Sequence, residues 1–218
     1  MKNQLQRIFH FFGLELHRKE GKGSLEWALH TLKRQGIHPE VIIDGGAAKG
    51  EWTKRVQKIF PSAQYILVEP LAEHYPLLES VPHAQLIRGA LSNMHGEANF
   101  YVVNQWNSTL VADLPASDTR KVETYTVNEL LPKNKSVFLK LDLEGGEMPV
   151  LRAIDFTNIV CVLLECVFYS PTKRPFLFAE LCAFMKSKGY IIQDLCSISY
   201  MPDGQLQQTD ALFVKEKL

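Results

Sequence analysis

Val41-Ile42-Ile43-Asp44-Gly45-Gly46-Ala47-Ala48-Lys49-Gly50 is an apolar run that ends in an acid and passes into a loop of small residues. A short apolar run bounded by glycine reads as a parallel strand covered on both faces, and small side chains let backbone N–H groups approach a bound molecule. The next segment, Glu51 to Phe60, sets Trp52, Val56, Ile59 and Phe60 on one helical face. The unit is therefore strand, tight turn, helix, and ligands of open α/β sheets bind outside the carboxyl end of such a strand.

The turn separates ligand classes through its acid more than through its glycines. A G-x-G-x-x-G pattern started at Gly45 puts Ala47 at the second glycine and Gly50 at the third, a degenerate match. No Gly-Lys-Ser/Thr follows, which excludes a phosphate-binding P-loop. A carboxylate at Asp44 repels a pyrophosphate and suits an ammonium or sulfonium group. A second buried run, Tyr65-Ile66-Leu67-Val68, ends in Glu69-Pro70, where a carboxylate accepts both hydroxyls of a ribose. Asp44 and Glu69 together point to S-adenosylmethionine, with Gly45, Gly46, Ala47, Gly50 and Pro70 completing the cradle. The competing readings are a nicotinamide-dependent oxidoreductase, which Asp44 and the degenerate glycines disfavour, and a non-catalytic scaffold that keeps the ligand pocket.

Further along, Lys140-Leu141-Asp142-Leu143-Glu144-Gly145-Gly146-Glu147 resembles the signature of the FkbM-type methyltransferases. That family shows Asp-x-Gly-Ala-x-x-Gly after its first strand, Glu-Pro after its second and Lys-(Ile/Leu)-Asp-(Val/Leu)-Glu-Gly-x-Glu after its fourth. The three blocks occur here in that order, and the resemblance runs from about residue 24 to the C-terminus. One departure is Gly46-Ala47-Ala48, where many members carry Gly-Ala followed by Asn or His. The resemblance implies a class I methyltransferase fold: an α/β, Rossmann-like seven-stranded sheet with an antiparallel last strand. It also implies S-adenosylmethionine-dependent O-methylation of a sugar, glycolipid or secondary metabolite, with Gly89 and Ala90 in the loop that frames the adenine.

Composition agrees. The chain has 218 residues, 46% of them hydrophobic, with 24 acidic and 24 basic residues. It suits one domain over 1–218, divided into an N-terminal helical cap, 1–36, and a catalytic core, 37–218. Zero net charge and the lack of a polybasic tract argue against nucleic acid as partner and for a small-molecule or glycan acceptor. Cys161, Cys166, Cys182 and Cys196 lie in apolar patterns without metal-ligand spacing, as reduced thiols of a cytoplasmic protein do. Ile8 to Phe12 is too short and too interrupted for a secretion signal or transmembrane segment. Leu5, Ile8, Phe9, Phe12 and Leu16 fall at helical spacing, so this stretch is read as a helix that caps the core, or alternatively touches a membrane surface.

The remaining elements follow the same alternation. A helix runs from Ser24 to Gln35 and another from Leu71 to Ser80, a strand from Ala84 to Ile87, then an inserted hairpin with a strand at Ala98 to Val103. In the loop 104–109, Trp106, Asn107 and Ser108 combine an aromatic face with polar groups. They are read either as the acceptor contact or as a polar loop whose Trp fills the core. Residues 112–121 read as a lid. A helix over Pro175 to Lys188, strands at Tyr190 to Leu195 and Ala211 to Val214, and a turn at Pro202-Asp203-Gly204 close the chain.

The chemistry falls to two strand-end acids. Val137 to Leu141 ends at Asp142, and Ile159 to Leu164 ends at Glu165. Methyl transfer to an alcohol needs a base within hydrogen-bond reach of the hydroxyl, or a cation that acidifies it. Asp142 is the first candidate for the base and also borders the methionine end of the cofactor. An Asp142 and Glu165 pair holding magnesium is the second. Glu144 and Glu147 are read as caps of the helix from Pro149 to Ile154.

Overall fold

The computed structural model describes residues 21–103, 108–111, 116–168 and 177–216. Helix α1 (Leu25–Arg34) starts where the Ser24 hydroxyl accepts the Trp27 amide at 3.2 Å, and it buries Leu25, Ala28, Leu29 and Leu32. Strand β1 (Val41–Gly45) leads into α2 (Glu51–Gln57), and β2 (Gln64–Glu69) leads through a 3-10 turn at Ala72–His74 into α3 (Tyr75–Glu79) and β3 (Ala84–Arg88). An insert follows with β4 (Ala90–Leu91), β5 (Gly96–Val102), β6 (Ser108–Thr109) and β7 (Asp118–Tyr125). The chain then forms α4 (Val127–Leu130), β8 (Val137–Leu141), α5 (Glu147–Ala153), β9 (Ile159–Val167), α6 (Phe178–Ser187), β10 (Tyr190–Tyr200) and β11 (Leu206–Lys215).

The main sheet has seven strands in the order β10-β11-β9-β8-β1-β2-β3. Strands β3, β2, β1, β8 and β9 are parallel, and β11 runs antiparallel to both β9 and β10. This is the α/β sheet with an antiparallel last strand that the motifs imply. Every residue of β1 and β8 is buried, because helices cover both faces. Alternate residues enter separate cores: Ile43, Leu139 and Phe213 pack with α5 and α6, while Ile42, Phe138 and Leu212 pack with α1, α2 and α3. The chain winds outward from β1 to β3 on one side and from β8 to β9 on the other. The β1–β8 boundary is thus the point where strand order reverses and a cleft opens.

The insert is larger than the expected hairpin. It is a four-stranded sheet, β4-β7-β5-β6, whose own core holds Phe100, Val102 and Val122. Part of the expected lid belongs to it: Asp118 to Lys121 are paired with β5, while 112–115 lie outside the described residues. Strand β9 also runs two residues past Glu165, so that acid projects from within a strand and pairs with Asp210 of β11. The expected helix through Leu5, Ile8, Phe9, Phe12 and Leu16 lies outside the described residues. Among the described residues no helix is long and apolar enough to cross a membrane.

Candidate functional site

A cavity of about 420 Å³ opens over the carboxyl ends of β1, β2 and β8, walled on its far side by Phe100, Leu110 and Val111 of the insert. Of the residues expected from sequence, Gly46, Ala47, Glu69, Pro70, Ala90, Ser108 and Asp142 line it. Trp106 and Asn107 lie outside the described residues.

Glu69 closes one end. It is only 4% exposed; its Oε2 accepts the Ala48 amide at 2.8 Å, and its Oε1 accepts the Leu71 amide at 2.9 Å and lies 3.2 Å from His74 Nδ1. Burial pushes this carboxyl above its ordinary value, against the pull of those amides and of His74. Oε2 keeps a second lone pair for a ligand hydroxyl.

The other end differs from the expectation. Asp44 does not face the cavity: it is fully buried, its Oδ2 accepts the Thr53 hydroxyl at 2.6 Å, and its Oδ1 lies 2.9 Å from Lys140 Nζ. The reason is register. Asp44 and Lys140 are direct partners in the β1–β8 ladder, so a buried lysine meets a buried carboxylate before any ligand can. Lys140 also donates to the Gly46 carbonyl at 2.8 Å and lies 3.4 Å from Asp142 Oδ2. Burial alone would lower its pKa, but the Asp44 and Asp142 carboxylates outweigh burial and hold the ammonium above its ordinary value. Of the two carboxylates beside Lys140, Asp142, with its side chain 41% exposed, is the one that lines the cavity.

Gly45, Gly50 and Gly89 serve packing and turn geometry rather than the cavity wall. A Cβ on Gly45 would meet the Leu91 side chain at 2.6 Å, and one on Gly89 would meet the Glu123 carbonyl at 2.5 Å, where β3 passes close to β7. Gly46 is the decisive glycine: its φ is +75°, and a Cβ there would stand 2.1 Å from the Asp142 carbonyl oxygen. Only glycine lets the turn after β1 touch the turn after β8.

Glu165 lies outside the cavity wall, with its Oε1 accepting from Gln208 Nε2 at 3.0 Å. It joins a cluster: Asp142, Glu144 and Glu165 each bring an oxygen within 4.8 Å of the others. Glu144 has a left-handed backbone, φ +52°, and stands with the other two acids. Glu147 takes the structural part, accepting the amides of Leu143 at 2.8 Å and Gly145 at 3.1 Å. Nearby, burial raises the Asp210 carboxyl, with a Ser197 hydrogen bond opposing it and Asp142 adding to it. Thr53, His74, Lys140 and Glu144 are thus the site residues that sequence reasoning missed. A lysine inside an otherwise apolar strand was the one available signal, since a buried ammonium demands a partner.

No curated protein matches the chain. Among solved structures it is similar to a methyltransferase FkbM from Methylobacillus flagellatus KT, with TM-score 0.52 and 14% identity over 81% of this chain, and it spans 44% of that chain. It is also similar to M. capricolum TrmK in complex with its natural cofactor product S-adenosyl-homocysteine, with TM-score 0.50 and 10% identity, over 88% of this chain and 70% of that one. Both likenesses are of fold. Over residues 44–192, which is more than half of the sequence and spans the turn after β1, Glu69 and the Lys140 to Glu147 block, the chain matches the model of the methyltransferase FkbM domain and belongs to that family.

Proposed function

We propose that the cavity binds S-adenosylmethionine and that the protein methylates a hydroxyl oxygen of a small-molecule or glycan acceptor. The observation that carries this reading is that Glu69 and Asp142, at the carboxyl ends of the strands on either side of β1, line one cavity at the sheet's switch point. The residues suit the cofactor: Glu69 keeps acceptor capacity for ribose hydroxyls, Ala90 and Leu91 offer a small apolar wall, and Asp142 brings a negative charge to the sulfonium end. When bound, the cofactor supplies an already activated methyl group. The protein's part is then to align the acceptor oxygen and receive its proton, and Asp142 is the base within the cavity.

The acidic cluster favours a second route to the same product. Asp142, Glu144 and Glu165 are an oxygen donor set of the kind that holds magnesium, which would acidify the acceptor hydroxyl. Free cysteines and equal acidic and basic counts support a cytoplasmic enzyme without a nucleic-acid substrate. Contact of the segment 1–20 with a membrane surface stays part of the proposal for lipid-linked acceptors.

Titration calorimetry with S-adenosylmethionine and S-adenosylhomocysteine tests the site, and binding of both is expected. Binding of neither, or of NAD instead, overturns it. Radiolabelled methyl transfer into fractionated cell extract, with and without chelator, then separates the two routes: loss of transfer with chelator selects the cation.

A further inference from the structure

Asp44 sits behind the Asp142 end of the cavity, Lys140 lines that end beside Asp142, and the β1–β8 register makes Asp44 and Lys140 neighbours. The ammonium reaches three segments at once: the end of β1 through Asp44 Oδ1 at 2.9 Å, the turn through the Gly46 carbonyl at 2.8 Å, and the end of β8 through Asp142 Oδ2 at 3.4 Å. Exposure orders these groups. The Asp44 side chain is 0% exposed, that of Lys140 7% and that of Asp142 41%. Two carboxylates and one ammonium leave one net negative charge, and of the two carboxylates only Asp142 lines the cavity. Without the Asp44 charge, the same ammonium would cancel Asp142, and these three groups would add no net charge to the wall.

We infer that Asp44 and Lys140 form a positioning pair that leaves the negative charge of Asp142 uncancelled at the cavity wall, so that the site prefers a sulfonium ligand over its uncharged thioether product. The inference rests on the proposed S-adenosylmethionine site. Donor and product differ by one methyl and one positive charge, so adenosine and methionine contacts largely cancel in the ratio of their affinities, and local charge remains. A unit charge within several ångströms, at the screening typical of a protein site, changes that ratio on the order of tenfold. Asp44 thus acts on the ligand's charge without touching it, through the residue that neutralises it.

The test is the ratio of Kd for S-adenosylhomocysteine to Kd for S-adenosylmethionine, measured by calorimetry at fixed ionic strength. Asp44→Asn leaves Lys140 against Asp142, and the ratio should fall about tenfold. Adding Lys140→Met to Asp44→Asn restores one negative charge, and the ratio should return to within about twofold of wild type. Equal weakening of both ligands by Asp44→Asn, the mark of a purely structural role, overturns the inference, as does failure of the double variant to recover. Should Asp44→Asn alone not fold, the double variant decides by itself, because it removes the buried pair as a unit. Its ratio should match wild type while Asp142→Asn lowers the ratio, and a lowered ratio in the double variant overturns the pairing. A wild-type protein that binds neither ligand overturns the cofactor site; one that binds both with a ratio indifferent to Asp44→Asn overturns the pairing alone.

Discussion

The Glu69 carboxylate accepts the Ala48 amide at 2.8 Å, so the acid that ends β2 also holds the turn that follows β1. Ala48 needs that hold, since it sits at φ +46°, in the left-handed region that side chains disfavour. The other Glu69 oxygen accepts the Leu71 amide at 2.9 Å. Glu69→Gln offers one oxygen in place of two, and its NH2 must then face one of these N–H groups. The expected cost is about 1–3 kcal/mol in stability at neutral pH. Affinity for S-adenosylhomocysteine should fall by about tenfold or more as the turn loosens. Urea unfolding and calorimetry measure the two effects, and a variant indistinguishable from wild type in both would show that the turn is held elsewhere.

Asp210 gives the protein a pH dependence of definite sign. Burial raises its carboxyl above the ordinary aspartate value, eased by the Ser197 hydrogen bond and reinforced by Asp142. The unfolded chain releases this proton first, so the group's contribution to stability is full below the ordinary aspartate range. It is lost as pH rises from that range through the raised folded value. Asp210→Asn cannot titrate. Its stability relative to wild type should therefore grow across that window, as read from unfolding midpoints taken between acid and neutral pH. A difference that stays flat or shrinks as pH rises contradicts the assignment.

The seven-stranded sheet was legible because its inner strands are largely buried and read as mostly apolar runs, with Asp44, Glu69 and Asp142 marking where three of them end. The insert was less so: β6 is two residues long, Ser108–Thr109, too short to leave a period, and β7 alternates only around Val122 and Thr124. Asp44 shows why a strand-end acid does not declare its own task. Its place in sequence fixes the strand terminus, but which way the carboxylate turns depends on the β8 residue paired with it, a long-range register that local pattern does not contain. Glu144 was missed for a different reason. Its left-handed backbone, φ +52°, places it with Asp142 and Glu165, and no propensity argument anticipates that conformation for a glutamate.

Gly46→Ala should separate close approach from conformational freedom. At Gly46 a Cβ meets both a φ of +75° and the Asp142 carbonyl oxygen at 2.1 Å, so the two turns must part. The expected cost is about 2–4 kcal/mol, with loss of cofactor binding. Gly36 has a similar φ, +80°, and nothing within 4 Å of its Cβ position, so Gly36→Ala should cost about 1 kcal/mol and leave binding intact. Equal costs at the two positions, measured by urea unfolding, would mean that the contact between the turns contributes nothing.

Thr53 provides a test in which polarity and volume make opposite predictions. Its hydroxyl donates to Asp44 Oδ2 at 2.6 Å, and both residues are fully buried. Thr53→Val keeps the shape and removes the donor, which leaves a buried carboxylate oxygen without its proton partner at a cost of about 2–3 kcal/mol. Thr53→Ser keeps the donor and removes one methyl, at a cost of about 1 kcal/mol. If packing dominated, serine would be the more damaging change; because Asp44 is charged, valine should be. The order of the two unfolding midpoints decides it, and a valine variant as stable as wild type would show that Lys140 alone suffices to hold the Asp44 charge.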